Sequence, residues 1–181
     1  RSLLNQIVMK HAKDAASSIV RAQAVNGITL LLDSKASHGV LRPLLPLIGD
    51  LIHDRVERVR LMTVNLLLKV KKMKGFKYYH IVGRDHLLAR LATEGDCRKD
   101  PHGPVANALT ELLSNSYLPQ GVKGSEQIRR TLLFLTQNSK AARVFYSNIA
   151  YHLDITVISK LIGMLVKTLK IATERDIKKK E

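Results

Sequence analysis

The stretch VLRPLLPLIGDLIHDRVERVRLMTVNLLLKV, residues 40–70, decides the fold. Its first half has apolar residues at helical spacing, namely Leu41, Leu44, Leu45, Ile48, Leu51 and Ile52. Its second half repeats the pattern with Val56, Val59, Thr63, Leu66, Leu67 and Val70. An i, i+3, i+4, i+7 spacing is typical of an amphipathic helix. Because His53, Asp54 and Arg55 separate the halves, the stretch predicts two antiparallel helices joined by a short turn.

The second helix of this pair has counterparts along the chain. Similar helix starts stand at Val20-Arg21, Val59-Arg60, Val105-Ala106 and Ala142-Arg143, which are 39, 46 and 37 residues apart. Periods of about 40–47 residues with two helices per unit indicate an α-solenoid of the HEAT or armadillo kind. The predicted fold class is therefore all-α, an α-solenoid of HEAT-type antiparallel helix pairs with about four and a half repeats.

The predicted repeats form a single solenoid over residues 1–181. Their approximate bounds are 1–34, 38–74, 84–118 and 125–152, followed by an unpaired or next-repeat helix at 154–178. The apolar stripe of that last helix runs from Ile155 to Leu169. A solenoid helix whose apolar face has no following partner implies continuation or a binding partner. We therefore expect the chain to be a piece of a longer solenoid.

Composition excludes several other classes of protein. Of the 181 residues, 45% are hydrophobic, but the aromatics are only five Tyr and three Phe, with no Trp. A β-sandwich usually contains more aromatic and β-branched residues than this. The single cysteine, Cys97, excludes an internal disulfide framework and a cysteine-rich zinc module. No apolar run approaches the roughly 18–20 residues of a membrane span, so we expect a soluble protein with no membrane partner.

No residue constellation points to an enzyme or a metal site. Asp96, Cys97, Asp100 and His102 share one predicted loop, but their spacing matches no zinc pattern. A nucleophilic cysteine needs a base and a third orienting group, and neither is recognisable. A glycine-rich phosphate loop and a G-x-S-x-G elbow are also missing from the sequence. We predict no catalytic residue, no metal, no cofactor and no small-molecule substrate.

The second unit contains a HEAT-like set of residues, namely Pro46, Asp54, Val59 and Arg60. The pattern resembles a proline that bends the first helix, a turn aspartate, and an arginine early in the second helix. Proline in mid-helix removes a hydrogen bond and kinks the helix. A turn aspartate accepts from the amides that open the next helix. In the HEAT family, the aspartates and arginines of adjacent repeats form a ladder.

The other units depart from this set. The first has Arg21 but Ala15 at the turn position, the third has Asp100 but Ala106, and the fourth has Arg143 but Gln137. The sequence therefore predicts an incomplete ladder, with stacking that rests mainly on apolar packing.

Longer strings resemble the G subunits of condensin. They are Val59-Arg60, residues 64–71 (VNLLLKVK), 76–79 (FKYY), 86–91 (HLLARL), 112–119 (LLSNSYLP), 141–146 (AARVFY) and 158–162 (ISKLI). The last two look more like the condensin II form, and the resemblance spans roughly residues 20–165. It implies a non-enzymatic scaffold of the condensin II complex, acting in mitotic chromosome condensation in the nucleus. Such a subunit would bind the kleisin and other condensin II subunits, and would contact double-stranded DNA in chromatin through basic surfaces.

The basic residues suggest where DNA would bind. Lys and Arg total 30 against 15 Asp and Glu, a net charge of +15, which exceeds the roughly 2–8 that suffices for solubility. The candidate DNA-binding residues are Lys69, Lys71, Lys72, Lys74 and Lys77, with Arg55 and Arg58. If the five lysines each neutralise one phosphate, log K should fall against log salt with a slope of about −4 to −5. Solvated lysines at a helix C-terminus are the alternative interpretation.

Two further functions remain open from the residues alone. One is a HEAT or armadillo adaptor outside condensin, such as a transport or phosphatase scaffold. The other is a solenoid whose basic surface binds RNA or acidic protein tails. The aromatic residues at 76–79 and 145–146 are expected to pack between helices, although Tyr78 or Tyr79 could instead anchor a partner peptide.

Overall fold

The computed structural model describes residues 2–94 and 103–178, which form helices and turns with no strand among them. The α-helices are α1 (Ser2–Gln6), α2 (Ser18–Leu31), α3 (His38–Leu44), α4 (Glu57–Lys71), α5 (Arg84–Glu94), α6 (Pro104–Tyr117), α7 (Gly124–Gln137), α8 (Ser139–Asn148) and α9 (Ile155–Lys178). A π-helical turn, Ile7–His11, continues α1. Short 3₁₀ helices span Lys35–Ser37, Leu45–His53, Tyr78–His80 and Ile149–Tyr151.

Several helices begin at residues whose chemistry favours a helix start. The Ser17 hydroxyl accepts a hydrogen bond from the amide of Val20 at 3.3 Å, and caps α2. Asn138 does the same for α8 through the amide of Ala141 at 3.0 Å. Pro104 opens α6, a position where its missing N–H costs nothing.

The stretch at residues 40–70 folds as the predicted helix pair. Every apolar residue that the pattern assigns to its inner face is buried except Val56, which is 38% exposed and stands just before α4. The first element changes from α-helix to 3₁₀ helix at Leu45. Pro46 follows immediately and cannot donate the backbone hydrogen bond that would continue α3, which explains the change.

The helices stack in two rows around one core. Helices α2, α4 and α6 pack side by side, while the Leu45–His53 segment contacts both α4 and α5 on the other side. The buried apolar side chains of both rows form a continuous cluster. The predicted all-α solenoid is confirmed by this arrangement; its repeat type and repeat bounds stay predictions.

The fourth helix pair differs in register from the others. Helix α8 packs mainly on α5 and also on α6, whereas α7 contacts α6, α8 and α9. Aromatic side chains fill this junction, because Tyr117 stacks on Phe134 with ring centroids 3.8 Å apart and Phe145 meets Phe134 edge-on at 5.3 Å. Phe145 is fully buried, in agreement with its predicted packing between helices.

Gly49 allows a close backbone approach between two units. It lies in the Leu45–His53 segment, directly against the carbonyl of Ile81. A β-carbon at position 49 would overlap that carbonyl oxygen. Glycine is therefore required here by packing.

Two arginines link successive helix pairs. Arg21 donates two hydrogen bonds to the Asp54 carboxylate of the next pair, from Nε at 2.7 Å and from Nη2 at 3.0 Å. Arg60 likewise donates a hydrogen bond from Nε to Oε1 of Glu94, in the following pair, at 2.6 Å. Each arginine also donates Nη1 to the carbonyl of its own turn, Arg21 to Asp14 at 2.8 Å and Arg60 to Asp54 at 2.9 Å. Planar guanidinium groups suit such forked contacts.

The ladder is therefore more developed than the sequence indicated. The carboxylate that reaches Arg60 belongs to Glu94, a residue that the HEAT-like pattern did not single out. Asp14, one residue before Ala15, takes the place of the first turn aspartate and accepts from the amides of Ala16 and Ser17 at 2.9 and 2.7 Å. The expected Asp100 lies outside the described residues.

The charge state of Asp54 reflects this ladder. Burial raises the pKa of Asp54, but hydrogen bonds from Arg21 and from the Val56 amide lower it more, and the net pKa is below its ordinary value. The pKa of Arg21 is raised by its hydrogen bond to Asp54, in spite of the opposing effect of burial. Both groups are therefore held in their charged forms.

Candidate nucleic-acid interface

The C-terminal ends of α2, α4 and α6 lie together along one edge of the solenoid, here named the C-terminal edge. Lysines of α4 connect them. Lys69 Nζ donates to the carbonyl of Thr29 in α2 at 2.7 Å, and Lys71 Nζ donates to the carbonyls of Glu111 and Leu112 in α6, both at 2.9 Å. The Thr29 carbonyl is among the last four of α2, which have no partner within the helix and carry partial negative charge that attracts ammonium groups. The carbonyls of Glu111 and Leu112 lie just before the last turn of α6 and accept from Lys71 in addition to their helical bonds.

Lys69 and Lys71 thus have a packing role. Lys69 also pairs with Asp33 at 2.7 Å. Burial lowers the pKa of Lys71, and this effect exceeds the opposing attraction of Glu111. Because these ammonium groups already bind protein oxygens, a phosphate would have to displace those contacts.

Four other cations remain exposed at the C-terminal edge. They are Arg42, Lys72, Lys74 and Lys77, named here the basic edge. Arg42 of α3 lies over the ring of Phe76, with its Cζ 5.0 Å from the centroid, and Lys77 Nζ lies 5.8 Å from the Tyr79 centroid. Within residues 2–94 and 103–178, none of the four forms an ion pair with a carboxylate.

Arg42 was not among the predicted site residues. It stands inside the decisive apolar stretch, where its neighbour Leu41 is fully buried, so helical geometry turns Arg42 outward. That orientation was readable from the sequence. Its closeness to the loop after α4 was not, because it depends on how α3 packs against Phe76.

Arg55 and Arg58 lie at the opposite end of α4. Lys72 lies fourteen positions after Arg58, which corresponds to about 21 Å along a helix. Arg58 lies beside Ala22 and Gln23 of α2. The carbonyl of Arg55 accepts from Arg60 at 3.0 Å. The structure therefore brings Lys72, Lys74 and Lys77 together and leaves the two arginines on the other edge.

The basic edge has the chemistry of a phosphate-binding surface without base recognition. Its lysines are exposed and follow a helix end, so they can adjust to the phosphates of a duplex. Lys and Arg contacts to phosphates supply affinity and orientation but carry no sequence information.

Other site types find no support in the described residues. Across 2–94 and 103–178, no group of three His, Cys, Asp or Glu side chains is placed to hold a metal ion. The rejected metal candidates Asp96, Cys97, Asp100 and His102 lie outside these ranges. In the part of the chain that was described, no helix is both long and apolar enough to cross a membrane.

Comparison with known proteins gives a consistent set of relatives. The chain is 32% identical over 176 residues to "Condensin-2 complex subunit G2" of Homo sapiens, which covers 97% of this chain and 15% of that protein. It is 33% identical over 175 residues to the proteins of the same name from Xenopus laevis and Mus musculus. Each match covers 97% of this chain, but only 14% of the Xenopus laevis protein and 15% of the Mus musculus protein. No family model and no solved structure matches the chain.

The matched region spans nearly the whole of this chain but only about one seventh of each relative. With 97% of the chain matched, this region takes in both the arginine ladder and the basic edge. On these matches, the chain belongs to the condensin II G-subunit family, in which it corresponds to one segment of much longer members.

Proposed function

We propose that this chain is a non-catalytic scaffold segment of a condensin II G-type subunit, which assembles with other condensin subunits and contacts duplex DNA. The family relationship and the stacked helix pairs support the scaffold role. A chromosomal location in the nucleus follows from the same proposal. The basic edge is the observation that carries the DNA contact.

The basic edge sets the expected strength of the electrostatic term. Four exposed cations, Arg42, Lys72, Lys74 and Lys77, are free of carboxylate partners in the described residues. If each neutralises one phosphate, log K against log salt should have a slope of about −3.6. This is shallower than the sequence-based expectation because Lys69 and Lys71 are held by helix carbonyls.

Titration of a labelled DNA duplex with the chain, followed by fluorescence anisotropy from low to moderate salt, tests this proposal. The variant Lys72→Glu, Lys74→Glu, Lys77→Glu should weaken binding by at least about a hundredfold at low salt and flatten the salt slope. Three phosphate contacts are lost and three repulsive charges appear.

A matched variant separates this site from the overall charge. Lys160→Glu, Lys167→Glu, Lys170→Glu changes the net charge by the same amount, at exposed positions of α9. It should retain most of the DNA affinity. Equal losses in the two variants would contradict a localised DNA site and leave only a general charge effect.

The kleisin contact needs an apolar surface on the solenoid. Exposed large apolar residues on α7 and α9 provide one, namely Leu132, Leu135, Ile155, Ile162, Val166, Leu169 and Ile171. Pull-down of purified kleisin fragments by this chain, with and without DNA, tests the contact. The variant Ile162→Glu, Val166→Glu should abolish capture, and capture at the parental level would place the kleisin elsewhere.

A further inference from the structure

A cleft of about 550 Å³ opens next to the basic edge. It lies between the first turn of α5, the end of α6 and the middle of α7, beside the 3₁₀ turn Tyr78–His80. Its volume falls within the range of 300–1,000 Å³ that is typical of ligand pockets.

The base of the cleft is apolar. Leu87, Leu113 and Tyr117 contribute to its lining and are 1%, 2% and 5% exposed. The aromatic Tyr79 and the aliphatic Leu133 stand at its rim, 49% and 42% exposed. A pocket of this kind accepts a leucine or phenylalanine side chain, and burial of that side chain would supply the anchor of a complex.

The walls of the cleft carry an excess of positive charge. Arg84, Arg129 and Arg130 all line it. Glu126 binds two of them, with its Oε2 2.7 Å from Arg129 Nε and its Oε1 2.8 Å from Arg130 Nε. Arg84 pairs with no carboxylate within the described residues.

The count of nearby acids does not remove this excess. Asp85 lies close enough to Tyr117 to influence its ionisation but does not line the cleft. Among the described residues, the lining therefore contains three arginines and no carboxylate, and Glu126 pairs with two of these arginines. Arg84 and Arg129 are both exposed. Arg129 donates Nε and Nη2 to Glu126, which leaves its Nη1 for a ligand.

The shape and chemistry of the cleft favour a peptide over DNA. The cleft is concave and has an apolar base, whereas a duplex presents a convex, charged backbone that would gain nothing from buried leucines. Arginine guanidinium groups bind carboxylates through paired hydrogen bonds, which gives both affinity and direction. Tyrosines contribute large contact areas at small entropic cost.

We propose that this cleft is a docking site for an extended acidic peptide segment of a partner protein. One apolar side chain of the segment enters between Leu113 and Tyr117, and flanking carboxylates pair with Arg84 and Arg129. The proposal is independent of DNA contact at the basic edge, because the two sites use different residues.

The test uses the full 181-residue chain and a fluorescent peptide in which one phenylalanine is flanked on both sides by glutamates. We expect saturable binding by fluorescence anisotropy. Arg84→Ala with Arg129→Ala should weaken it at least about tenfold, since each removes a charge-assisted contact. Leu133→Glu should weaken it similarly by placing a negative charge at the rim.

Three comparisons decide the result. A peptide with the phenylalanine replaced by alanine should bind more weakly to the parent, and one with glutamines in place of glutamates should not bind. The Lys72→Glu, Lys74→Glu, Lys77→Glu variant should bind the acidic peptide within about threefold of the parent. Circular dichroism of each variant reports that the helices are intact.

Some outcomes would overturn the proposal. One is the absence of saturable binding to the parent chain, and another is equal affinity of the parent and the Arg84→Ala, Arg129→Ala variant for the acidic peptide. A loss of DNA affinity in that variant as large as its loss of peptide affinity would assign the cleft to the DNA surface instead.

Discussion

The variant Asp54→Ala is predicted to destabilise the protein substantially, because Asp54 joins two helix pairs. Its carboxylate accepts two hydrogen bonds from Arg21, at 2.7 and 3.0 Å, and one from the Val56 amide at 2.8 Å. The substitution removes all three and leaves the Arg21 guanidinium without its counter-charge.

The magnitude follows from the burial of the pair. Removing one partner of a fully buried ion pair costs about 3–5 kcal/mol. The Asp54 and Arg21 side chains are 6% and 14% exposed, so water can reach part of the abandoned guanidinium, which also keeps its bond to the Asp14 carbonyl. We therefore expect a loss of about 3 kcal/mol in the free energy of unfolding, near the lower end of that range. For a chain of this size this corresponds to about 6–12 °C in Tm.

Urea denaturation followed by circular dichroism measures this loss directly. Glu126→Ala is the matched control, since it also removes a carboxylate that binds two arginines, but at a partly exposed position and within a single helix. Exposed ion pairs contribute little, so the control should unfold close to the parent. If Asp54→Ala is no less stable than Glu126→Ala, the reasoning that the ladder stabilises the stack is wrong.

Three further predictions concern pH, a lysine and two glycines. The pKa of Asp54 is lower in the folded than in the unfolded protein, so ionised Asp54 stabilises the fold above the unfolded pKa of about 3.9, and this stabilisation is lost as pH falls through the folded pKa. The difference in unfolding free energy between the parent and Asp54→Asn should therefore shrink in acid. A difference that does not depend on pH would contradict this. Lys71→Met should lower the urea midpoint by removing the two hydrogen bonds that join α4 to carbonyls of α6, while changing DNA affinity less than threefold; a large loss of DNA affinity with normal stability would return Lys71 to the DNA site. Gly49→Ala should lower the free energy of unfolding by about 1–3 kcal/mol, because its methyl group would force the Ile81 carbonyl away. Gly27→Ala, in open space on α2, should be neutral or stabilise the protein by up to about 1 kcal/mol. Thermal melts that rank the two variants the other way would refute the packing argument.

The helix pairs were predictable because their pattern is local. Leu41, Ile48, Val59 and Leu66 are all buried, as the helical spacing required. The position of the 3₁₀ segment also has a local cause in Pro46. Such features depend on residues three or four apart and on backbone donors, both of which can be read from a sequence.

The ladder was only half predictable. Asp54 and Arg60 stood out by their spacing, but Glu94 did not, because it lies at the end of a helix and no turn motif marks it. A weaker signal existed. Arg21 precedes Asp54 by 33 residues and Arg60 precedes Glu94 by 34. A search for an acidic residue one repeat after each arginine would therefore have found both ion pairs.

The candidate site was the least predictable part. Lys69, Lys71 and Lys74 look alike in sequence, yet two of them bind carbonyls of neighbouring helices and the third is exposed. Which lysine meets which helix end depends on the stacking of three helices. The cleft beside α7 likewise depends on the altered register of α8, for which the sequence contains no marker.

The links at the two ends of α4 have a mechanical consequence. At one end the arginine ladder ties this pair to its neighbours, and at the other Lys69 and Lys71 tie α4 to α2 and α6. Because α4 is bonded to its neighbours at both ends, we expect it to resist both bending and twisting. Under load, we expect the part of the chain from α2 to α8 to move as one stiff unit, because α8 also packs on α5 and α6. Flexing would then concentrate at α9, whose main packing contact is α7, so that this helix shifts most easily relative to the rest.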